Sequence, residues 1–339
     1  MAKMSIAEAL REAIREEMRR DERVFCLGED IDVEGGFGGA FTVTLGLSKE
    51  FGHERILDTP ISEIMIAGAA VGAAMTGMIP IADVQYGDFL FCMMDQLANN
   101  AAKMTYMSGG TVKVPMVMRA PVGATTRGAQ HAQSLESFFT HIPGLKIICP
   151  STAYDAKGLL KTAIRDENPV VVFEHKLLYG SKGTRAEKSA LSPVGEVPEE
   201  EYLIPFGVGA IRRAGTDITI VATLLMVYKA LEAAAVLEEE GISVEVIDPR
   251  TLVPFDYEMV IESIKKTSRL IIVEEDTKRN GWGAEVAATI AEEALYYLDA
   301  PIKRVATYDV PIPFAPIMEN FVIPSPARIA DAARDLMKY

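Results

Sequence analysis

Short apolar runs alternate with helical patterns along most of the chain, and this alternation limits the fold more than any other feature of the sequence. The runs are nearly continuous rather than alternating in polarity, so each predicts a strand that is covered on both faces. We therefore predict an α/β fold built on a mainly parallel, doubly wound sheet. The predicted strands of the first half are VFCLG (24–28), ILDTP (56–60), IPIADVQ (79–85), VPMVMRAP (114–121), LKIICP (145–150) and PVVVFEH (169–175).

Four helical patterns accompany these strands, and the last of them is YDAKGLLKTAIRDEN (154–168), between the fifth and sixth strands. Residues 5–20 place their apolar side chains on one stripe, and Ser5 with Glu8 forms a capping box. Residues 62–77 predict a helix that begins at Ser62 as its N-cap, and residues 88–109 predict a long helix.

The polar segment from 180 to 205 divides the chain, because it holds three prolines and carries no apolar period. A second run of strands and helices begins with DITIVAT (217–223). We predict a first α/β domain over 1–185, a linker over 186–204 and a second α/β domain over 205–339.

Charge and cysteine content exclude several classes of protein. The 339 residues include 34 Lys and Arg against 48 Asp and Glu, a net charge of -14, which disfavours binding to nucleic acid or to an anionic membrane. The apolar stretch 64–81 is interrupted by three glycines and Pro80, so it does not predict a membrane span. Three scattered cysteines form no disulfide framework, which favours a reducing cytoplasm.

The common catalytic motifs are missing. Gly36-x-Gly38 has Phe41 where a dinucleotide-binding fingerprint needs its third glycine, and no Gly-Lys-Ser/Thr occurs. No G-x-S-x-G and no paired metal-binding histidines are present. The signatures of nicotinamide enzymes, NTPases, serine hydrolases and zinc enzymes are therefore absent.

Polar residues at the carboxyl ends of strands are the remaining candidates, because ligands of open α/β sheets bind there. Glu63 opens an apolar helix, either as a capping acid or as a carboxylate for a bound heterocycle. Phe89 follows a strand and could either stack on a planar ligand or belong to the core. His131 lies in a polar, glycine-containing loop, where a catalytic and a structural role remain open.

These candidates stand among longer motifs that cover nearly the whole chain. They resemble the β subunit of the E1 component of thiamine-diphosphate-dependent 2-oxo acid dehydrogenase complexes, which act on pyruvate, acetoin or branched-chain 2-oxo acids. The resemblance implies a pyrimidine-binding domain followed by a transketolase C-terminal-like domain. Its landmarks are DTPISE (58–63), DQLANNAAKMTYMSGG (95–110), GAQHAQSLESFFTHIPGLKIICPST (128–152), DAKGLLKTAIRDENPVVVFEHKLLYG (155–180), DPRTLVPFD (248–256) and GAEVAA (283–288).

The resemblance also assigns site residues. Glu63 matches the glutamate that binds N1′ of the cofactor's aminopyrimidine, Phe89 matches the aromatic residue against that ring, and Ile61 and Gln85 match residues that line the pocket. His131 matches the histidine that faces the substrate.

The segment TAIRDENP resembles a potassium loop of the same family. Its matching ligands, including one carbonyl from a neighbouring strand, are Met116, Ala163, Ile164, Asp166 and Asn168. A helix end capped by Asp166 and Asn168 would have the same sequence, so both interpretations remain open.

The missing half of the cofactor site implies a partner. Enzymes of this class hold the diphosphate through Mg²⁺ on a Gly-Asp-Gly motif, which this chain lacks. The family supplies it from an α subunit in an α2β2 heterotetramer, which decarboxylates a 2-oxo acid and acylates the lipoyl group of E2. Pyruvate is the expected substrate, with acetoin and branched-chain 2-oxo acids as alternatives. A non-catalytic assembly subunit and a homodimeric transketolase-like enzyme are the competing hypotheses.

Overall fold

The computed structural model describes residues 1–33, 38–180 and 193–339, whose contacts divide the chain into two units. The first unit contains residues 1–122 and 138–206, and the second contains residues 123–137 and 207–339. The segment 123–137 therefore groups with the second unit, whereas the sequence-based division placed it in the first domain.

The first unit is built on a parallel sheet. The strands of the unit, of which β1 and β8 lie outside this sheet, are β1 Ala2–Met4, β2 Val24–Glu29, β3 Ile56–Thr59, β4 Ile79–Asp83, β5 Val117–Val122, β6 Lys146–Ile148, β7 Val170–His175 and β8 Gly195–Val197. The sheet runs in the order β6-β7-β5-β4-β2-β3, with every neighbouring pair parallel. Most of the strand residues are buried, as the continuous apolar runs predict, and this confirms the predicted fold class.

The α-helices of this unit follow the predicted pattern except at the N-cap of α3 and in the segment 88–109. They are α1 Ile6–Arg20, α2 Leu47–Phe51, α3 Glu63–Met75, α4 Ala102–Met107, α5 Glu136–Thr140, which crosses the division between the units, and α6 Ala153–Ile164. The capping box of α1 is confirmed, since Ser5 and Glu8 exchange both hydrogen bonds. Ser62 does precede α3, but its side chain makes no capping hydrogen bond.

The predicted long helix over 88–109 is wrong in form. The structure has a 3-10 helix over Gly87–Met93, a π-helix over Asp95–Ala101 and then α4. Asn99 and Asn100 both donate to Asp95 from one turn further on, with Asn100 Nδ2 reaching the Asp95 carbonyl at 3.1 Å. Side-chain bonds of this kind compete with the regular helical ladder and help to widen the turn.

The apolar stretch 64–81 is divided between α3 and β4, and within the described ranges no helix is long and apolar enough to cross a bilayer. Part of the predicted linker has regular structure, because β8 pairs antiparallel with β1. The rest of that prediction over 186–192 lies outside the described residues, as does the part of the glycine-rich loop over 34–37.

The second unit has its own sheet. The strands of the unit, all of which belong to this sheet except β12, are β9 Ala210–Arg213, β10 Ile218–Ala222, β11 Val244–Asp248, β12 Thr251–Val253, β13 Leu270–Thr277 and β14 Lys303–Thr307. The order β14-β13-β10-β11-β9 is parallel except for β9, which pairs antiparallel with β11. The helices are α7 Leu225–Glu239, α8 Tyr257–Thr267, α9 Trp282–Glu293, α10 Pro316–Val322 and α11 Pro326–Leu336.

Candidate active site

The carboxyl edge of the first unit's sheet brings several predicted site residues together. β2 lies between β3 and β4, so Glu29, Thr59 and Asp83 end three neighbouring parallel strands. Glu63 begins α3 four residues after the end of β3, and Gln85 follows β4 by two residues. Parallel strands place such residues at one edge of the sheet, which is where ligands of α/β sheets bind.

Carboxylates dominate this edge. Gln85 Nε2 donates to the Glu29 carbonyl oxygen at 3.2 Å and to the Asp30 carboxylate at 3.4 Å. Burial, together with the negative charges of Asp30, Glu63 and Asp58, raises the pKa of Glu29. Glu63 is therefore close enough to Glu29 for their charges to interact, and Gln85 bridges the ends of β2 and β4 beside them.

An aromatic cluster follows Gln85. Phe89 is half-buried in the 3-10 turn, and its ring packs edge-on to Tyr86 with the centroids 5.8 Å apart. Tyr86 in turn packs against Phe41, at 6.3 Å between centroids, and lies 5.0 Å from the ammonium of Lys176. Part of the Phe89 surface is accessible, which leaves both a core position and contact with a planar ligand open.

Two further observations concern residues that precede Glu63 in sequence. Ile61 is 76% exposed, an unusual position for a large apolar side chain. The Thr59 hydroxyl is buried with no hydrogen-bond partner in the structure. A carboxylate, an exposed apolar side chain and a partly accessible aromatic ring are groups that can bind a flat, nitrogen-containing ring.

His131 lies in the second unit, unlike Ile61, Glu63, Gln85 and Phe89. Its backbone N–H donates to the Gly128 carbonyl at 3.3 Å, and Gly128 adopts the left-handed conformation, φ +79°, that favours glycine. The side chain is half-buried, and the next residue, Ala132, is buried in an apolar cluster with Ala124, Ile312, Val322 and Ile323.

A buried ion network behind this edge was missed from the sequence. Arg119 on β5 is 1% exposed and donates to both carboxylate oxygens of Glu174 on β7, at 2.9 and 2.6 Å, and to Asp83 on β4. Tyr179 donates to Glu174 as well. Burial, reinforced by the charge of Glu174, raises the pKa of Asp83 to about 6 although Arg119 opposes the shift. The sequence signal that could have predicted this network is the presence of one charged residue within each of three otherwise apolar strands.

The predicted potassium residues also lie in the first unit, around the end of α6. The Met116 carbonyl accepts from the Val170 N–H at 2.9 Å, and the Ala163 carbonyl accepts from the Asp166 N–H at 3.3 Å. Asn168 donates to Asp166 through its backbone and its side chain, both at 2.8 Å, and Lys146 donates to the same carboxylate. Although burial opposes it, these hydrogen bonds hold the pKa of Asp166 below its usual range.

The structure thus gives Asp166 partners that do not require a cation. Ile164 ends α6 and is buried. Over residues 1–33, 38–180 and 193–339, no group of three or more His, Cys, Asp or Glu side chains is placed to hold a metal ion.

Comparison with known proteins covers both units. Residues 2–182 match the family described as "Transketolase, pyrimidine binding domain", and residues 207–329 match "Transketolase, C-terminal domain". A solved structure titled "Split gene transketolase, inactive beta4 tetramer" superposes with a TM-score of 0.77 over 99% of each chain at 23% identity, a likeness that supports the fold alone.

Three relatives are similar over almost all of this chain. The chain is 47% identical to the 2-oxoisovalerate dehydrogenase subunit beta of Bacillus subtilis, over 100% of both proteins. It is 48% identical to the acetoin:2,6-dichlorophenolindophenol oxidoreductase subunit beta of Cupriavidus necator, over 99% of this chain and 98% of the relative. It is 46% identical to the pyruvate dehydrogenase E1 component subunit beta of Rhizobium meliloti, over 98% of this chain and 70% of the relative.

Proposed function

The chain belongs to the family of E1 β subunits of thiamine-diphosphate-dependent 2-oxo acid dehydrogenase complexes, and on that premise we propose that it works with an α subunit to decarboxylate pyruvate and to acylate the lipoyl group of an E2 partner. The observation that carries the proposal is the position of Glu63, at the start of α3 on the carboxyl edge of the sheet, where Gln85 follows β4 and donates to Glu29. A carboxylate there serves the pyrimidine half of the cofactor.

The roles of the residues follow from their chemistry. When bound, thiamine diphosphate supplies the nucleophilic carbon and the electron sink that decarboxylation needs. Glu63 would exchange a proton at N1′ of the aminopyrimidine, and Ile61 and Phe89 would pack on the ring and exclude water. Gln85, fixed by Glu29 and Asp30, would orient it. His131 would hold or move a proton at the substrate.

Partners supply the rest of the site. We assign the diphosphate and Mg²⁺ to the α subunit of an α2β2 heterotetramer, because the chain has no Gly-Asp-Gly motif. We expect E2 to bind through a basic surface, since the net charge of the chain is -14. A potassium ion at Met116, Ala163, Ile164, Asp166 and Asn168 and a cytoplasmic location also belong to the proposal.

The substrate is tested by reconstitution. The chain is purified alone and together with its α subunit, and turnover is measured with pyruvate, 2-oxoisovalerate and acetoin. We expect turnover only in the presence of the α subunit, with pyruvate preferred. If 2-oxoisovalerate or acetoin is preferred, the substrate is the one in the name of the corresponding relative, and the proposal of pyruvate is wrong.

The same preparations test the alternative of a non-catalytic assembly subunit. If Glu63→Gln leaves the turnover of the assembled enzyme unchanged, this chain supports assembly but not chemistry. Turnover by the isolated chain would contradict the shared cofactor site.

A further inference from the structure

The segment that carries His131 is a closed loop of the second unit. The Gly123 N–H donates to the Gln133 carbonyl at 3.1 Å and closes the base of the loop. Thr126, near the tip, has φ +57°, which a β-branched residue rarely adopts. A loop with such a residue does not keep its shape without support from outside it.

Two carboxyl groups on neighbouring elements accept hydrogen bonds from the backbone of the first part of the loop. The Ala124 N–H donates to Glu275 on β13 at 2.6 Å. The Thr126 N–H donates to Glu319 on α10 at 2.7 Å. Both glutamates are buried, at 8% and 4% exposure, so these hydrogen bonds lie in a setting with little water, where they are stronger than at the surface.

A third carboxylate fixes the far end. Asp276 on β13 accepts from the Ser137 N–H at 3.2 Å and from the Ser137 hydroxyl. The three acids therefore hold the loop at residues 124, 126 and 137, on both sides of His131 in sequence.

The acids are themselves held in place. The largely buried ammonium of Lys229 is attracted by Glu275 and Glu319 and donates to the Pro324 carbonyl at 2.8 Å. Arg328 donates to the carbonyls of Val322 and Ile323 at the end of α10, at 3.2 and 3.0 Å. Such a connected set of charges favours a single arrangement of the loop.

We propose that Glu275, Asp276 and Glu319 are positioning residues that fix the backbone of the 123–137 loop and thereby set the direction of the His131 side chain. The functional part rests on the role proposed for His131, whereas the structural part rests only on the hydrogen bonds above. A small displacement of a proton-transfer group is enough to slow a reaction, so removal of one support acts on turnover without touching substrate or cofactor.

The test uses the assembled enzyme and measures two quantities. Glu319→Ala and Glu275→Ala remove one acceptor each, Glu319→Gln keeps an oxygen that can accept from Thr126, and Glu292→Ala removes an exposed acid from α9 as the control. Amide hydrogen exchange of the 121–137 peptide reports the loop, and kcat and KM report the reaction.

We expect the two alanine variants to speed exchange in this peptide about tenfold and to lower kcat about 10- to 100-fold with KM little changed. Glu319→Gln should recover most of both losses, and Glu292→Ala should resemble the wild type. Unchanged exchange in both alanine variants, or faster exchange with wild-type kcat, would overturn the proposal. If one alanine variant does not assemble, the other decides by the same criteria. If neither assembles, Ser137→Ala, which removes the hydroxyl that donates to Asp276, takes their place, and unchanged exchange in that variant overturns the proposal.

Failure of the proposed function gives a different result. If His131→Ala has wild-type turnover while the alanine variants still loosen the loop, His131 has no catalytic role and the acids are supports of structure only, which rejects the positioning role for catalysis.

Discussion

Arg119 donates to both oxygens of Glu174 across the parallel pair of β5 and β7, and it reaches Asp83 on β4 from the same side chain. Three adjacent strands of the first unit are thus joined by one guanidinium at the edge where Glu63 and Gln85 lie. Because Arg119 is buried, removing any one member of this network leaves an uncompensated charge in the interior and lowers the stability of the fold.

Arg119→Met should lower the free energy of unfolding by about 3–5 kcal/mol, because it leaves two buried carboxylates without their cation. The measurement is denaturant unfolding of the purified chain. The matched control is Arg279→Met, which removes the exposed pair with Asp309 and should cost at most about 1 kcal/mol. Equal losses in the two variants would contradict a special contribution of the buried network.

Glu63→Gln should preserve folding and assembly while the exchange of the cofactor's C2 proton slows sharply. A carboxylate can exchange a proton with N1′, whereas an amide can only form a hydrogen bond. The assay is hydrogen–deuterium exchange at C2 in the assembled enzyme.

The control is Glu258→Gln, which removes an acid from the first turn of α8 and should cost about 0.3–1 kcal/mol of stability without affecting exchange. Wild-type exchange in Glu63→Gln would return Glu63 to the role of a capping acid.

His131→Ala should lower kcat by about 10²–10⁴-fold, the usual contribution of a general acid or base. C2 exchange should persist, since it does not depend on this residue in the proposed mechanism. His141→Ala, at an exposed histidine, serves as the control in the same steady-state assay. Full activity in His131→Ala would leave this histidine with a structural role.

The unfolding free energy should depend on pH through Glu274. Burial raises the pKa of this carboxyl to about 7 from 4.5, although Gly283 and Arg304 donate to it. The folded chain therefore holds the proton more tightly than the unfolded chain does. The stability that this proton contributes is fully present below pH 4.5 and is lost as the pH rises through about 7.

Glu274→Gln should remove this part of the dependence, so the difference between wild type and variant should change by up to about 1.4 kcal/mol per pH unit within that window. Denaturant midpoints measured from pH 4 to 8 provide the comparison. A constant difference across the range would show that Glu274 has the same pKa in both states.

Potassium should stabilise the first unit if the loop at the end of α6 binds it. At a concentration tenfold above its Kd, KCl should add about 1.4 kcal/mol over NaCl of equal ionic strength, and Asp166→Ala should abolish the difference. Glu167→Ala, at the exposed neighbouring acid, should retain it. No preference for potassium in the wild type would favour the alternative of a helix end capped by Asp166 and Asn168.

The fold was predictable where local signals agree with burial. The Ser5 capping box and the apolar strand at 24–28 specify α1 and β2 without help from distant residues. The form of the helix at 88–109 was not predictable. Its apolar spacing is the same for a regular α-helix and for the observed segments, whereas the hydrogen bonds from Asn99 and Asn100 to Asp95 that accompany the wider turn are seen only in the structure.

The candidate site divides in the same way. Glu63 and Gln85 follow apolar strands, so their position at one edge of the sheet could be predicted from chain order. The grouping of 123–137 with the second unit could not, since it depends on partners such as Glu275 and Glu319 that are remote in sequence.

The separation in sequence between the His131 loop and its supports has a consequence for synthesis. Thr126 leaves the ribosome 193 residues before Glu319, the residue that accepts its N–H. At about 5–20 residues per second, this is an interval of roughly 10–40 s. Within that time β6 and β7 are synthesised and become available to the first sheet, but the loop still lacks the acceptor that holds its tip. The loop is therefore accessible to a chaperone or to the ribosome surface during this interval. The first sheet of the same nascent chain can already form.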